Sequence, residues 1–126
     1  MEEMTMQEQR ARFLEKFIGC RKALSAVGDE TRQLIICTLI EHGQRHGMRV
    51  GEIQKYTNLS RTAVSHHLAV LKEADIIAMR KEGTKNFYYL DADSSSMKKI
   101  VEFWKEAEQM MAVCPFRSIK EEMEEK

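Results

Sequence analysis

The stretch Asn58-Leu59-Ser60-Arg61-Thr62-Ala63-Val64-Ser65-His66-His67-Leu68-Ala69-Val70-Leu71 constrains this chain more than any other part of it. Ser60 is a good helix N-cap, because its hydroxyl can accept from a backbone N–H one turn on that otherwise has no partner. After it Val64, Leu68 and Leu71 recur at the spacing of one helical face, which turns inward. The opposite face carries Arg61, Thr62, Ser65, His66 and Ala69: one guanidinium, several short polar groups and a methyl. A face that is merely solvated favours Glu and Lys, whereas this set has the chemistry that contacts base edges in the major groove of DNA.

The neighbouring segments place this helix in a larger unit. Val50, Ile53 and Tyr56 predict a short amphipathic helix over 50–57, and Asn58-Leu59-Ser60 is the tight turn to the next helix, which makes a helix-turn-helix. Beyond Asp75 the pattern becomes extended. Ile76-Ile77-Ala78-Met79-Arg80-Lys81 and Asn86-Phe87-Tyr88-Tyr89-Leu90 are rich in β-formers and flank Glu82-Gly83-Thr84-Lys85, a hairpin turn with glycine at its tip. The expected fold class is therefore mainly α with a small β-hairpin: a winged helix-turn-helix. The wing carries Arg80, Lys81 and Lys85 near its tip, where they would meet phosphates or enter an adjoining minor groove. Charged hairpin tips are common as solubilising devices, and it is the position beside a base-reading helix that favours the DNA role.

From about Leu24 to Leu90 the chain resembles the ArsR/SmtB family of bacterial winged-helix repressors, through LSAVGDETRQLIICTLIEHG, VGEIQKYTNLSRTAVSHHLAVLKEADII and RKEGTKNFYYL. The run Ser-x-x-x-Val-Ser-x-His-Leu-x-x-Leu, Ser60 to Leu71, is its most specific element. The resemblance implies a homodimer whose interface comes from helices in the N- and C-terminal thirds. It also implies repression of a nearby operon, relieved when an inducer binds.

A chain of 126 residues supports one modest core, and a single proline with little Gly/Ser bias marks no second-domain boundary. The expected organisation is one winged-helix domain over 1–126. It comprises an N-terminal dimerisation helix at 1–28, the helix-turn-helix and wing at 29–90, a C-terminal dimerisation helix at 94–114 and an acidic tail at 115–126. No apolar run is long enough for a bilayer and no N-terminal signal pattern is present, so a cytoplasmic protein without a membrane partner is expected. Three cysteines without a CxxC pair argue against a zinc ribbon or a disulfide scaffold. The chain shows neither a Gly-rich phosphate loop nor a convincing acid–base pair, so no enzyme and no cofactor are expected.

The formal charge is zero, with 20 Lys and Arg against 20 Asp and Glu, which at first argues against a polyanionic partner. Its distribution reverses the argument. Arg49, Lys55, Arg61, Lys72, Arg80, Lys81 and Lys85 face Glu52, Glu73, Asp75 and Glu82 in residues 49–90, while the end of the chain is acidic through Glu121-Glu122-Met123-Glu124-Glu125. The reading head is basic, and double-stranded DNA is its expected partner.

The flanking segments bear on assembly. Phe13, Phe17, Cys20, Leu24 and Val27 follow a four-three-four-three spacing, the apolar seam of one helix that Gly19 weakens only locally. Met97, Ile100, Trp104, Ala107, Met111 and Cys114 fall on one side of the last helix, broadened by Val101, Phe103 and Met110. Intrachain core explains either seam alone. Two such helices outside a compact winged helix, however, expose more apolar surface than one small domain covers. The expected dimer interface is Phe13, Phe17, Cys20, Leu24, Met97, Ile100, Trp104 and Met111. Two-fold symmetry would then set two recognition helices roughly 34 Å apart on an inverted-repeat operator.

The releasing signal is unknown from sequence, and three effector classes stand open. For metals, the resemblance maps one known site to Arg49 and Gly51, which offer no ligand, and another to a last helix that here has no histidine. His42 and His46 are four apart, but Gly43 and Gly47 predict a helix end and solvated loop, and His67 reads as a hydrogen-bonded structural histidine, so no metal is expected. For thiols, Cys37 and Cys114, which precedes Pro115, resemble the persulfide- and thiol-sensing branch, in which two such cysteines form a sulfur bridge; the last helix here is about two turns longer. Against this, Cys20 and Cys37 are expected on apolar helix faces, where cysteine is an inert hydrophobe. The third class is a small organic ligand among Phe13, Phe17, Phe103, Trp104, Met110 and Met111. A winged helix serving only protein interaction is the alternative to DNA binding, disfavoured because its face would carry aromatic or apolar anchors.

Overall fold

The computed structural model describes residues 4–112 and 123–124. In chain order the elements are α1 (Met6–Gly19), α2 (Arg21–Val27), α3 (Glu30–Thr38), a π-helical turn (Leu39–Gly43), α4 (Val50–Thr57), α5 (Arg61–Glu73), strands β1 (Ile77–Glu82) and β2 (Lys85–Leu90), and α6 (Ser95–Ala112). This is the mainly helical, winged helix-turn-helix fold expected from the sequence.

The core lies where α2 to α5 meet the base of the hairpin. Ile35, Leu39, Met48, Ile53, Val64, Leu68, Leu71, Ala74, Ile76 and Ile77 are all buried there, with Ala23 and Ala26 of α2 closing one side. α5 starts as its sequence dictates, with the Ser60 hydroxyl accepting from the Ala63 N–H at 3.1 Å. It ends in a Schellman motif: the Ile76 N–H reaches the Leu71 carbonyl and the Asp75 N–H the Lys72 carbonyl, each at 3.0 Å. Asp75 occupies the left-handed position there at φ 58°, and its neighbours Leu71 and Ile76 are buried.

The strands pair antiparallel from Ile77↔Leu90 to Glu82↔Lys85, with Gly83 at φ 60° opening the two-residue turn, a conformation that glycine adopts without steric penalty. A third short segment joins them. Met48 and Tyr88 exchange two backbone hydrogen bonds of 2.8 Å, which ties the residues before α4 to the wing.

Three expectations change. The N-terminal segment is two helices, because Cys20 leaves helical geometry at φ −111°, ψ 8° directly after Gly19. Its seam is covered in part within the chain, with Phe17 still exposed. Phe13 and Phe17 lie against Phe103 of α6, with centroids 5.5 and 5.2 Å apart, and Cys20 is sealed inside the protomer at 1% exposure. Lys16 and Arg12 of α1 add ion pairs of 2.9 and 3.4 Å to Glu106. In α4, Tyr56 points outward and stacks on His42 at 3.7 Å, while Thr57 takes the inward place and donates to the Ile53 carbonyl. Finally, Cys37 is exposed, since it stands about 200° around α3 from buried Ile35.

Candidate nucleic-acid interface

α5 is held from behind by Val64, Leu68 and Leu71, each no more than 1% exposed. The helix periodicity then turns Arg61, Thr62, Ser65, His66 and Ala69 outward, and all five are exposed. α1, α3 and α4 each carry a glutamate in the first turn, whereas α5, like α2 and α6, carries no acid there. An acid would stabilise the helix end by about 0.3–1 kcal/mol. Leaving it out keeps the partial positive charge of the exposed N–H groups, and Arg61 adds to it.

His67 sits on the flank of this helix, half-buried, as expected of a structural histidine. Its Nδ1 lies 3.4 Å from Nη1 of Arg32. Arg32 also donates to the carbonyls of Ala26 at 2.6 Å and Ser25 at 3.3 Å, so it closes the end of α2 while bracing α5. Its backbone N–H is in turn accepted by Asp29, the N-cap of α3, at 2.9 Å. That bond, ahead of the Arg32 and His67 charges, holds the Asp29 carboxyl below the usual carboxylate range. Arg32 went unassigned in the sequence because its partners lie in other elements.

The wing cations divide. Alternation along the strands puts Arg80, Phe87 and Lys85 on one face and Lys81 and Asn86 on the other. Lys81 and Lys85 are exposed near the tip. Arg80 is engaged lower down: it donates to the His46 carbonyl at 3.2 Å, lies 3.3 Å from the Glu82 carboxylate and covers the Phe87 ring at 5.0 Å. Between α4, α5 and the wing a concave surface brings Arg49 and Lys55 alongside Arg61 and Asn86, and the sequence reading had not assigned the first two to any site.

The terminal helices leave a second surface. Met97, Val101, Trp104 and Met111 run along the outer side of α6, with Trp104 56% exposed, and Leu14 and Ile18 are exposed on α1. Of the expected interface residues, Leu24 and Ile100 are half-buried and Cys20 is inaccessible. The rings proposed to line an organic-ligand pocket instead pack on one another, with Phe103 also 5.1 Å from Trp104. Burial pushes the Cys20 thiol up, so it stays protonated and weakly nucleophilic at neutral pH. Cys114 and most of the acidic tail lie outside the described residues. No cluster of three or more His, Cys, Asp or Glu side chains suited to a metal occurs among the described residues, nor a helix long and apolar enough to cross a membrane.

A helix whose outward set Arg61, Thr62, Ser65, His66 and Ala69 carries no acid, braced from behind and flanked by a two-stranded wing, defines a winged-helix DNA-binding regulator. The chain belongs to the ArsR family: residues 29–78 match the family described as "Bacterial regulatory protein, arsR family". It is 40% identical over 80 residues to an HTH-type transcriptional regulator of Methanocaldococcus jannaschii, covering 64% of this chain and 86% of that one. It is 35% identical over 66 residues to the transcriptional repressor SdpR of Bacillus subtilis, covering 52% and 69%. It resembles HlyU of Vibrio cholerae, described as a transcriptional activator, at 34% identity over 79 residues, covering 63% and 68%. The structure of reduced HlyU superposes with a TM-score of 0.54 at 27% identity, over 74% of this chain and 90% of that one. The relatives are regulators of transcription and not enzymes.

Proposed function

We propose that the protein is a transcriptional repressor that binds an inverted-repeat operator as a homodimer and leaves it when an effector acts. The observation that carries this reading is the outward face of α5, where Arg61, Thr62, Ser65, His66 and Ala69 are exposed together beside Lys81 and Lys85 of the wing. Residues 29–90 form the reading head within a single domain, and the dimer forms through the terminal helices. Repression needs only occupancy of the operator, and SdpR is named a repressor, while HlyU, at similar identity, is named an activator.

Base reading is tested on a duplex that the protein selects from a random pool. Arg61→Ala and His66→Ala should each lose roughly tenfold to a hundredfold on that duplex, with relaxed preference at one position per half-site. Binding and preference equal to wild type would remove both residues from the base-facing set.

For the effector, the exposure of Cys37 beside the burial of Cys20 favours Cys37 as the responsive thiol, with Cys114 as its partner. A polysulfide, which supplies oxidising sulfur, should release the operator from wild type and leave the Cys37→Ser and Cys114→Ser variants bound. Equal release from all three would eliminate the thiol signal.

A further inference from the structure

The concave surface beside Arg61 is a cleft of about 430 Å³ between the start of α4, the start of α5 and the wing tip. Its side chains include Arg49, Lys55, Arg61, Glu52, Thr84 and Asn86. Three of these are cations and one is an acid, and the Glu52 carboxylate already accepts the Arg49 backbone N–H at 3.2 Å. Among the described residues no ion pair or side-chain hydrogen bond engages the charged ends of Arg49, Lys55 or Arg61. Three cations against one carboxylate leave the concavity net positive, an arrangement that suits an anion brought from outside.

The backbone adds donors. Val50 and Gly51 begin α4, so their N–H groups have no partner within the helix, and a Cβ built on Gly51 would meet nothing within 4 Å. The approach to this turn is open. The wing supplies the Thr84 hydroxyl and the Asn86 amide from the other side.

Topology identifies the anion. A recognition helix in the major groove and a wing reaching the adjoining minor groove lie on either side of one sugar–phosphate strand, which must pass between them. In this protein the space between them is the cleft. We propose that it seats that strand, with Arg49 and Lys55 binding its phosphates, Arg61 turning from the strand toward the bases, and Thr84 and Asn86 closing over it. The proposal rests on α5 being the recognition helix and adds a binding site that fixes how deeply α5 enters the groove.

The test uses the full chain with two duplexes of equal length, the pool-selected sequence and a scrambled one, titrated over a range of salt. Arg49→Ala and Lys55→Ala should each weaken both duplexes alike, by about five- to tenfold, and make the log–log salt dependence shallower by roughly one per half-site. Arg49→Lys should restore most of the slope, and thermal midpoints should match wild type because both side chains are exposed. A single methylphosphonate at the phosphate seated in the cleft should abolish the difference between wild type and Arg49→Ala. Unchanged salt slopes in both alanine variants, while wild type still binds, would overturn the cleft and leave the reading of α5 intact. Failure of wild type to select any duplex would overturn that reading itself. Inorganic phosphate at constant ionic strength should compete for the same cations and weaken DNA binding more in wild type than in the two variants; equal weakening in all three would overturn the cleft as the phosphate seat.

Discussion

Trp104→Glu is expected to split the proposed dimer and take operator binding with it. Trp104 is 56% exposed in the protomer and continues a stripe with Met97, Val101 and Met111, whereas Phe103 and Ala107 on the adjoining face of α6 are buried. A glutamate there gives up only the edge contact of Trp104 with the Phe103 ring in the protomer and sets two carboxylates into an apolar interface. Loss of a buried tryptophan anchor amounts to about 2–4 kcal/mol, which is roughly thirtyfold to a thousandfold in dissociation constant. Sedimentation at micromolar concentration should show monomers, and binding to the inverted repeat should fall at least as far because the two half-sites no longer act together. An unaltered thermal midpoint for the monomer would confirm that the damage is confined to assembly. A variant that stays dimeric would place the interface elsewhere.

Gly47→Ala should produce the other large effect, on stability. Gly47 has φ +76°, and a Cβ there would stand 2.7 Å from the Tyr88 carbonyl oxygen, a backbone atom that is itself hydrogen-bonded to Met48. Neither neighbour can yield without breaking the Met48–Tyr88 bridge. The combination of a left-handed conformation and a backbone clash is expected to cost about 2–4 kcal/mol. Thermal or urea unfolding measures it directly. Gly51→Ala is the control: its Cβ meets nothing within 4 Å, so its stability should stay near wild type. Equal stability of the Gly47 variant would mean that the bridge does not hold the wing in solution.

Much of the reading head was legible in the sequence because its signals are local. The Ser60 cap, the spacing of Val64, Leu68 and Leu71 and the glycine of the wing turn act within one or two turns of chain. Elsewhere the period alone left a choice, or the deciding contacts lie far apart in sequence. Tyr56 and Thr57 both lie close to Ile53 around α4, and the choice fell to Thr57 because its hydroxyl finds the Ile53 carbonyl while Tyr56 finds His42. The seam of Phe13 and Phe17 had the right period, but periodicity reports only that a face is apolar. Whether α6 of the same chain or a second chain covers it was beyond that signal. Arg32 and the cleft at Arg49 and Lys55 depend on elements that converge only after folding. Charge counting registered the cations without revealing what they surround.

The Met48–Tyr88 bridge bears on signalling. With backbone bonds between the wing and the approach to α4, and Arg32 bracing α5 against α2, each head behaves as a single stiff jaw. A jaw of this kind has little internal slack for a signal to exploit. In the proposed dimer the remaining soft coordinate is the gape between the two jaws, set by how α1 and α6 lean on their counterparts. Because the DNA repeat fixes that span at roughly 34 Å, a small change in lean is multiplied along the length of the protomer into a misfit at the groove. Release then needs no unfolding and no altered base contact, only a calliper opened or closed past its mark.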